Sequence, residues 1–383
     1  MSPKITKANI KIVEKKFSDT AYSLTQERND FFLPQVLDYV RERKWINLRP
    51  EYQRRLVWDT KKRSLFIESL LLNIPVPPLF LYEHELNRYE VMDGQQRLNA
   101  VAEFYEDAFA LRGLERWKEL NGLKYSDLPD NLKRGLDRRR LSTTVLLFEE
   151  NSKTETNRED IRKIVFERLN TGGQSLNAQE LRNCIYSGTF NNLLISLSSD
   201  ALFRKIWEIT KESLSPTPHD ELDNIPEDHS LYRRMTDCQI VLRFFTFRNS
   251  ALIKGSVRSM LDNCMEKYKD APEKQISELK NIFQSRLHLA HEIFGENTFR
   301  HENENGKWIL SQPLFDGMMV ALDRLWENKS KLIKHRSEVS KELSRLLKIK
   351  RQYKIIIGKP NTAKAVSKRL NLITSAFKKA GNI

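Results

Sequence analysis

Tyr89-Glu90-Val91-Met92-Asp93-Gly94-Gln95-Gln96-Arg97-Leu98 changes its hydrophobic period in the middle. Tyr89 to Met92 reads as an apolar strand. After Asp93-Gly94, Leu98, Val101, Ala102 and Phe104 recur at helical spacing, so the helix is expected over Gln95 to Phe104. Working outward, Leu79 to Glu83 reads as a strand, with a turn at Glu85 to Arg88 between the two. Asp59-Thr60 can cap a helix from Lys61 to Asn73, which Pro75, Pro77 and Pro78 stop. Leu33 to Arg43 is helical in pattern, Trp45 to Leu48 is extended, and Thr143 to Phe148 is a β-branched strand. Beyond Glu150 the strand signals end. Ile161 to Leu169, Leu176 to Ser187, Met235 to Arg248, Ser256 to Tyr268, Glu273 to Phe294 and Pro313 to Trp326 all read as helices. The expected class is an α/β N-terminal domain with a small mixed sheet over 1–190, then an all-α domain over 191–383. Ser213 to Asp228, with three prolines and many acids, is the best candidate for a loop or boundary.

The 383 residues are 39% hydrophobic and 30% charged, a soluble composition of two-domain length. No run approaches the roughly 20 apolar residues of a bilayer span. Met1 to Lys16 has no apolar core of a secretory leader. Three widely spaced cysteines, Cys184, Cys238 and Cys264, fit a reducing compartment. Cytoplasmic location without membrane contact is expected. The net charge of +14 is unevenly placed: residues 329–383 hold 16 Lys and Arg against Glu338 and Glu342, so the first 328 residues balance. These basic residues ride on amphipathic patterns, the last of them over Thr362 to Lys379. A basic surface of this kind suits a phosphate backbone, DNA or RNA, with Lys348, Lys350, Arg351, Lys354, Lys368 and Arg369 as candidates. A solvated helix face is the plainer reading of the same residues.

Chemistry concentrates at the strand–helix corner. A helix start exposes unpaired N–H groups and the positive end of the dipole, and Gly94 lets a ligand approach the backbone. Gln95, Gln96 and Arg97 in the first turn can donate to phosphate oxygens. Asp93 can cap the helix, hold a magnesium ion or orient a water. The plain alternative is a capped helix start with polar residues. A second loop, Arg168-Leu169-Asn170-Thr171-Gly172-Gly173, offers guanidinium and amide donors, although its glycines also suit a helix end. Gln53 and Arg54 are open to either a site or a surface role.

The motif Leu48-Arg49-Pro50-Glu51-Tyr52-Gln53-Arg54 is followed by Phe66-Ile67-Glu68-Ser69-Leu70-Leu71-Leu72-Asn73-Ile74-Pro75-Val76-Pro77-Pro78 and by Asp93-Gly94-Gln95-Gln96-Arg97. Phe166-Glu167-Arg168-Leu169-Asn170-Thr171-Gly172-Gly173 and Leu176-Asn177-Ala178-Gln179-Glu180-Leu181-Arg182-Asn183 come after them. In order and spacing these blocks resemble the N-terminal domain of GmrSD-type restriction endonucleases, of the ParB/sulfiredoxin-like superfamily. The resemblance covers roughly Phe31 to Asn192. It implies a nucleotide- or DNA-processing component of bacterial anti-phage defence, with NTP as substrate or ligand. Asp93, Gly94, Gln95, Gln96 and Arg97 would form the core of an NTP-hydrolysing site, with Mg2+ on Asp93. Gln53, Arg54, Arg168, Asn170, Thr171, Gly172 and Gly173 would bind nucleotide or phosphate around it.

No Walker-type phosphate loop is present, and none of the seven histidines lies in a recognisable His-Asn-His nuclease arrangement. A separately encoded nuclease or other defence protein is therefore an expected partner. The competing reading is a non-catalytic DNA-binding or regulatory subunit, and a homo-oligomer is compatible with either.

Overall fold

The computed structural model describes residues 10–15, 17, 24–48, 58–148, 164–165, 177–186, 188–209, 230–303, 305–358 and 362–383. The chain divides into two compact units, Met1–Leu176 with Pro216–Ile225 and Asn177–Ser215 with Pro226–Ile383. Helix Ala178–Ile185 thus belongs to the second unit, ahead of the boundary at 190 read from the sequence.

The first unit carries a five-stranded mixed sheet of β1 (Leu24–Phe32), β2 (Ile46–Asn47), β3 (Leu79–Glu85), β4 (Arg88–Asp93) and β5 (Arg140–Phe148), in the order β1-β5-β3-β4-β2. β1 is antiparallel to β5, β5 parallel to β3, β3 antiparallel to β4, and β4 parallel to β2. The alternation of β3 and β5 puts Leu79, Leu81, Leu141 and Val145 on one buried face. Against it pack α1 (Leu33–Arg41), α2 (Thr60–Leu71), α3 (Gln95–Tyr105) and α4 (Asp130–Asp137), contributing Val36, Ile67, Leu70, Val101, Phe104 and Leu136 to one core. Asp59 caps α2 as its sequence suggests, accepting from the Lys62 N–H at 2.6 Å. Glu68, in the middle of α2, is 4% exposed. Its carboxylate accepts the backbone N–H groups of Arg116 at 2.9 Å and Trp117 at 2.8 Å, pinning the connection that follows α3. A buried carboxylate tolerates its burial through such donors.

The second unit is mostly helical, with a two-stranded ribbon of β6 (Arg300–Glu302) and β7 (Trp308–Leu310). Its α-helices of six residues or more begin with α5 (Ala178–Ile185), α6 (Thr189–Ser198), α7 (Ala201–Ile206), α8 (Thr236–Arg248), α9 (Val257–Tyr268) and α10 (Glu273–Phe294). They are followed by α11 (Gln312–Arg324), α12 (Lys329–Lys334), α13 (Arg336–Lys348), α14 (Lys350–Ile356) and α15 (Ala363–Ala380). Phe244, Phe245 and Phe283 meet at ring distances of 5.3 to 6.0 Å at its centre. Gly317 lets α11 and α15 approach closely: a Cβ there would lie 2.2 Å from Ile373 Cδ1.

Inside this core sits a charge cluster. Asp316 of α11 is fully buried and takes a fork of two bonds from Arg243 of α8, Nε–Oδ1 at 2.9 Å and Nη2–Oδ2. Arg369 of α15 lies 3.7 Å from the same carboxylate and donates to the backbone oxygens of Ile356 at 2.8 Å and Gly358 at 3.2 Å. Burial pushes its guanidinium below its ordinary pKa, with Asp316 opposing and Arg243 adding to the shift. Arg369 is 1% exposed. It is therefore corrected from a nucleic-acid contact to an internal tie, because an enclosed guanidinium holding two carbonyls cannot reach a backbone outside.

Among the described residues no helix is long and apolar enough to cross a membrane. Cys238 and Cys264 are buried and form no disulfide.

Candidate functional site

β4 ends at Asp93 and α3 begins at Gln95, so the strand-to-helix handover falls where the period changes in the sequence. Gly94 is the N-cap, in the left-handed region at φ 100°. Asp93 is thus not the cap. The space above Gly94 is filled by the protein itself: a Cβ would lie 2.3 Å from Leu79 Cδ2 and 3.2 Å from Arg97 Nη2. Glycine is required here by backbone conformation and by close packing together.

The three side chains that follow are turned inward and hold other segments. Gln95 is 9% exposed and donates from Nε2 to the Leu48 carbonyl at 2.8 Å. Gln96 is 5% exposed and accepts the Trp58 N–H on Oε1 at 3.0 Å. Arg97 is 8% exposed. Its Nη1 donates to the carbonyls of Pro77 and, at 3.3 Å, Pro78, and its Nη2 to Asp93 Oδ2 at 2.7 Å. Burial lowers the Arg97 pKa from its ordinary value, and the charge and hydrogen bond of Asp93 oppose that shift. One helical turn therefore fastens Leu48, Trp58 and the Pro77-Pro78 corner, residues far apart in the chain. Asp93 alone in the run stays open, its side chain 42% exposed.

Leu48 and Trp58 border the segment that carries Gln53 and Arg54, which lie outside the described residues. Arg168, Asn170, Thr171, Gly172 and Gly173 also lie outside them. Trp58 packs edge-on against Phe66 at 5.6 Å with Lys62 over its ring, a packing role. Lys348, Lys350, Arg351, Lys354 and Lys368 are exposed, as a contact surface requires. What sequence reasoning missed are the acceptors: the carbonyls of Leu48, Pro77 and Pro78 carry no side-chain signal. Among the described residues no group of three or more His, Cys, Asp or Glu side chains is placed to hold a metal ion. A lone carboxylate fits a magnesium ion that arrives with nucleotide phosphates, since that ion is commonly held by one or two carboxylates plus substrate oxygens.

Residues 35–187 match the family described as GmrSD restriction endonuclease, N-terminal domain. This segment is a GmrSD N-terminal domain. The motif blocks read from the sequence, from Leu48 to Asn183, fall within the match. Comparison with curated proteins and with solved structures gives no match.

The tie made by Arg97 has a measurable consequence. Arg97→Met leaves the Pro77 and Pro78 carbonyls and Asp93 without their donor, at a cost of about 1–3 kcal/mol. Urea unfolding of the full chain is expected to shift accordingly. Faster hydrogen exchange should be confined to α2, β3 and α3 of the GmrSD N-terminal domain. Unchanged exchange there would show that Arg97 does not tie the corner.

Proposed function

We propose that the chain is a nucleotide-binding, NTP-hydrolysing component of a restriction-like, cytoplasmic anti-phage system that acts on DNA. The support is the family match together with one geometric observation. The first turn of α3 holds Leu48, Trp58 and Pro77-Pro78, and Asp93, bonded to Arg97 of that turn, keeps an accessible carboxylate. Asp93 holds the magnesium of an incoming nucleotide or orients the attacking water. Mg2+, when bound, neutralises charge developing on the transferred phosphoryl group. Arg97 acts as a positioning residue: its bond to Oδ2 fixes the Asp93 rotamer. Gln95 and Gln96 hold the two borders of the segment bearing Gln53 and Arg54. In this reading Gln53, Arg54, Arg168, Asn170, Thr171, Gly172 and Gly173 supply the phosphate donors. Catalysis then rests on positioning and charge stabilisation, as phosphoryl transfer generally does.

The mixed sheet with helices on one buried face is compatible with a ParB/sulfiredoxin-like domain, which we include in the proposal. The matched family names only an N-terminal domain of a restriction endonuclease. We therefore include a nuclease, as the cutting activity, among the proposed partners. The direct test is phosphate release from each of the four NTPs by the full chain, with magnesium, with and without DNA. Turnover of at least one NTP that ceases on chelation is expected. No release under any of these conditions would refute the hydrolytic reading.

A further inference from the structure

We infer that the face built by α13 and α14 binds duplex DNA through its phosphates, without reading base sequence. On α13, Lys341, Arg345 and Lys348 are exposed at spacings of four and three, so they form one stripe. Val339, Leu343 and Leu346 occupy the opposite, buried side. On α14, Lys350, Arg351 and Lys354 are exposed within about a third of the helix circumference, at 3.6 residues per turn. The buried Ile356 lies off that arc. The two helices are joined through Ile349 alone, so the two basic arcs follow directly on one another in the chain.

The face is held rigidly. α14 packs on α13 and on α15. The buried Arg369 bonds the last residue of α14 and Gly358, fastening the Lys368 turn of α15 to the end of α14. Lysines and arginines on a rigid helical surface are presented without the ordering cost of a flexible arm.

Three features choose the partner. The charge of one sign, with only Glu338 and Glu342 to offset it in residues 329–383, suits a polyanion. Arg345 is already forked onto Glu342 at 2.7 Å, and four of the other five exposed basic residues are lysines, point charges suited to phosphates rather than to the paired acceptors of a guanine edge. Among the described residues of α13 and α14 no aromatic side chain is exposed, so there is no platform on which unpaired bases would stack. The choice of DNA over RNA rests on the restriction-system reading proposed above. The contact itself needs no nucleotide and stands or falls separately from hydrolysis.

The experiment uses the full chain and two unrelated labelled DNA duplexes of about 20 base pairs, a span of roughly two helical turns. Fluorescence anisotropy is read across a salt series without nucleotide. The native chain is expected to bind both duplexes equally, with affinity falling steeply as salt rises. Lys350→Glu/Arg351→Glu/Lys354→Glu should weaken binding by about a hundredfold in low salt and flatten the salt slope by about 3, near one for each phosphate no longer neutralised. Lys274→Glu/Lys280→Glu/Lys307→Glu makes the same change in net charge at exposed positions elsewhere in the second unit and should leave binding nearly intact. Lys341→Glu/Lys348→Glu gives a second, independent loss on the α13 stripe. Equal loss in the control triple, an unchanged slope in the α14 triple, or tighter binding of an RNA duplex or a single strand would overturn the inference. Loss of DNA binding with phosphate release retained separates this surface from the corner at Asp93.

Discussion

Asp316→Ala is expected to destabilise the helical unit by about 3–5 kcal/mol, the usual cost of breaking a buried ion pair from one side. The carboxylate is fully buried and answers two guanidinium groups, Arg243 at 4% exposure and Arg369 at 1%. Its removal leaves both cations enclosed without an anion. The loss is local in origin, because Asp316, Arg243 and Arg369 all belong to the second unit. Hydrogen exchange should therefore rise in α8, α11 and α15 before it rises in the sheet of the first unit. Asp316→Asn should recover little, since it keeps the shape and removes the charge. A midpoint shift worth less than about 1 kcal/mol, the scale of an exposed pair, would show that the cluster is hydrated and not buried.

That cluster also shows where the sequence was legible and where it was not. Arg369 stands among basic neighbours, and composition places it on the surface with Lys368. Helical spacing places it elsewhere: it is three residues after Val366 and four before Ile373, on the apolar face of α15. The period was the better guide, and charge hid it. The partner Asp316 was invisible, because the pairing links residues 73 and 53 positions apart in the chain.

The strands and helices around the corner could be read because each carries its own period and its own stop. Asp59 caps α2, Asn73 in the left-handed region closes its end ahead of the prolines, and Gly94 separates β4 from α3. β1 could not be read. Leu24–Phe32 has Gln26 to Asp30 exposed and shows no apolar alternation. It is a strand because its whole length pairs with β5, from Leu24 opposite Phe148 to Phe32 opposite Arg140. Its charges at an open sheet edge discourage pairing with another chain.

At the candidate site the residue types were legible and their directions were not. Amides and a guanidinium in the first turn of a helix suggest an anion cradle, yet Gln95, Gln96 and Arg97 turn toward Leu48, Trp58 and the Pro77-Pro78 carbonyls. Backbone acceptors have no sequence signature, so this choice is made by tertiary structure. It moves the expected chemical work of the run onto Asp93.

Asp93→Asn should therefore have a large effect on activity and a small one on stability. Its carboxylate is partly in water, and an exposed or half-exposed pair is worth about 1 kcal/mol or less. Asparagine preserves an oxygen for the Arg97 Nη2–H to find and keeps the corner closed around Gly94. It cannot hold magnesium as a charged ligand or orient a water as a base. Phosphate release is expected to fall by about a hundredfold or more, the scale of losing one positioned catalytic group. Gly94→Ala would not serve as well, because the Cβ clash with Leu79 distorts the corner itself.

The decisive measurement is the rate of magnesium-dependent phosphate release by the native chain and by Asp93→Asn, side by side and at equal folded fraction. The account predicts turnover in the native protein and a loss of about a hundredfold or more in the variant, with hydrogen exchange of α2, β3 and α3 unchanged. Equal turnover in the two proteins would contradict it and leave the first turn of α3 as an architectural joint.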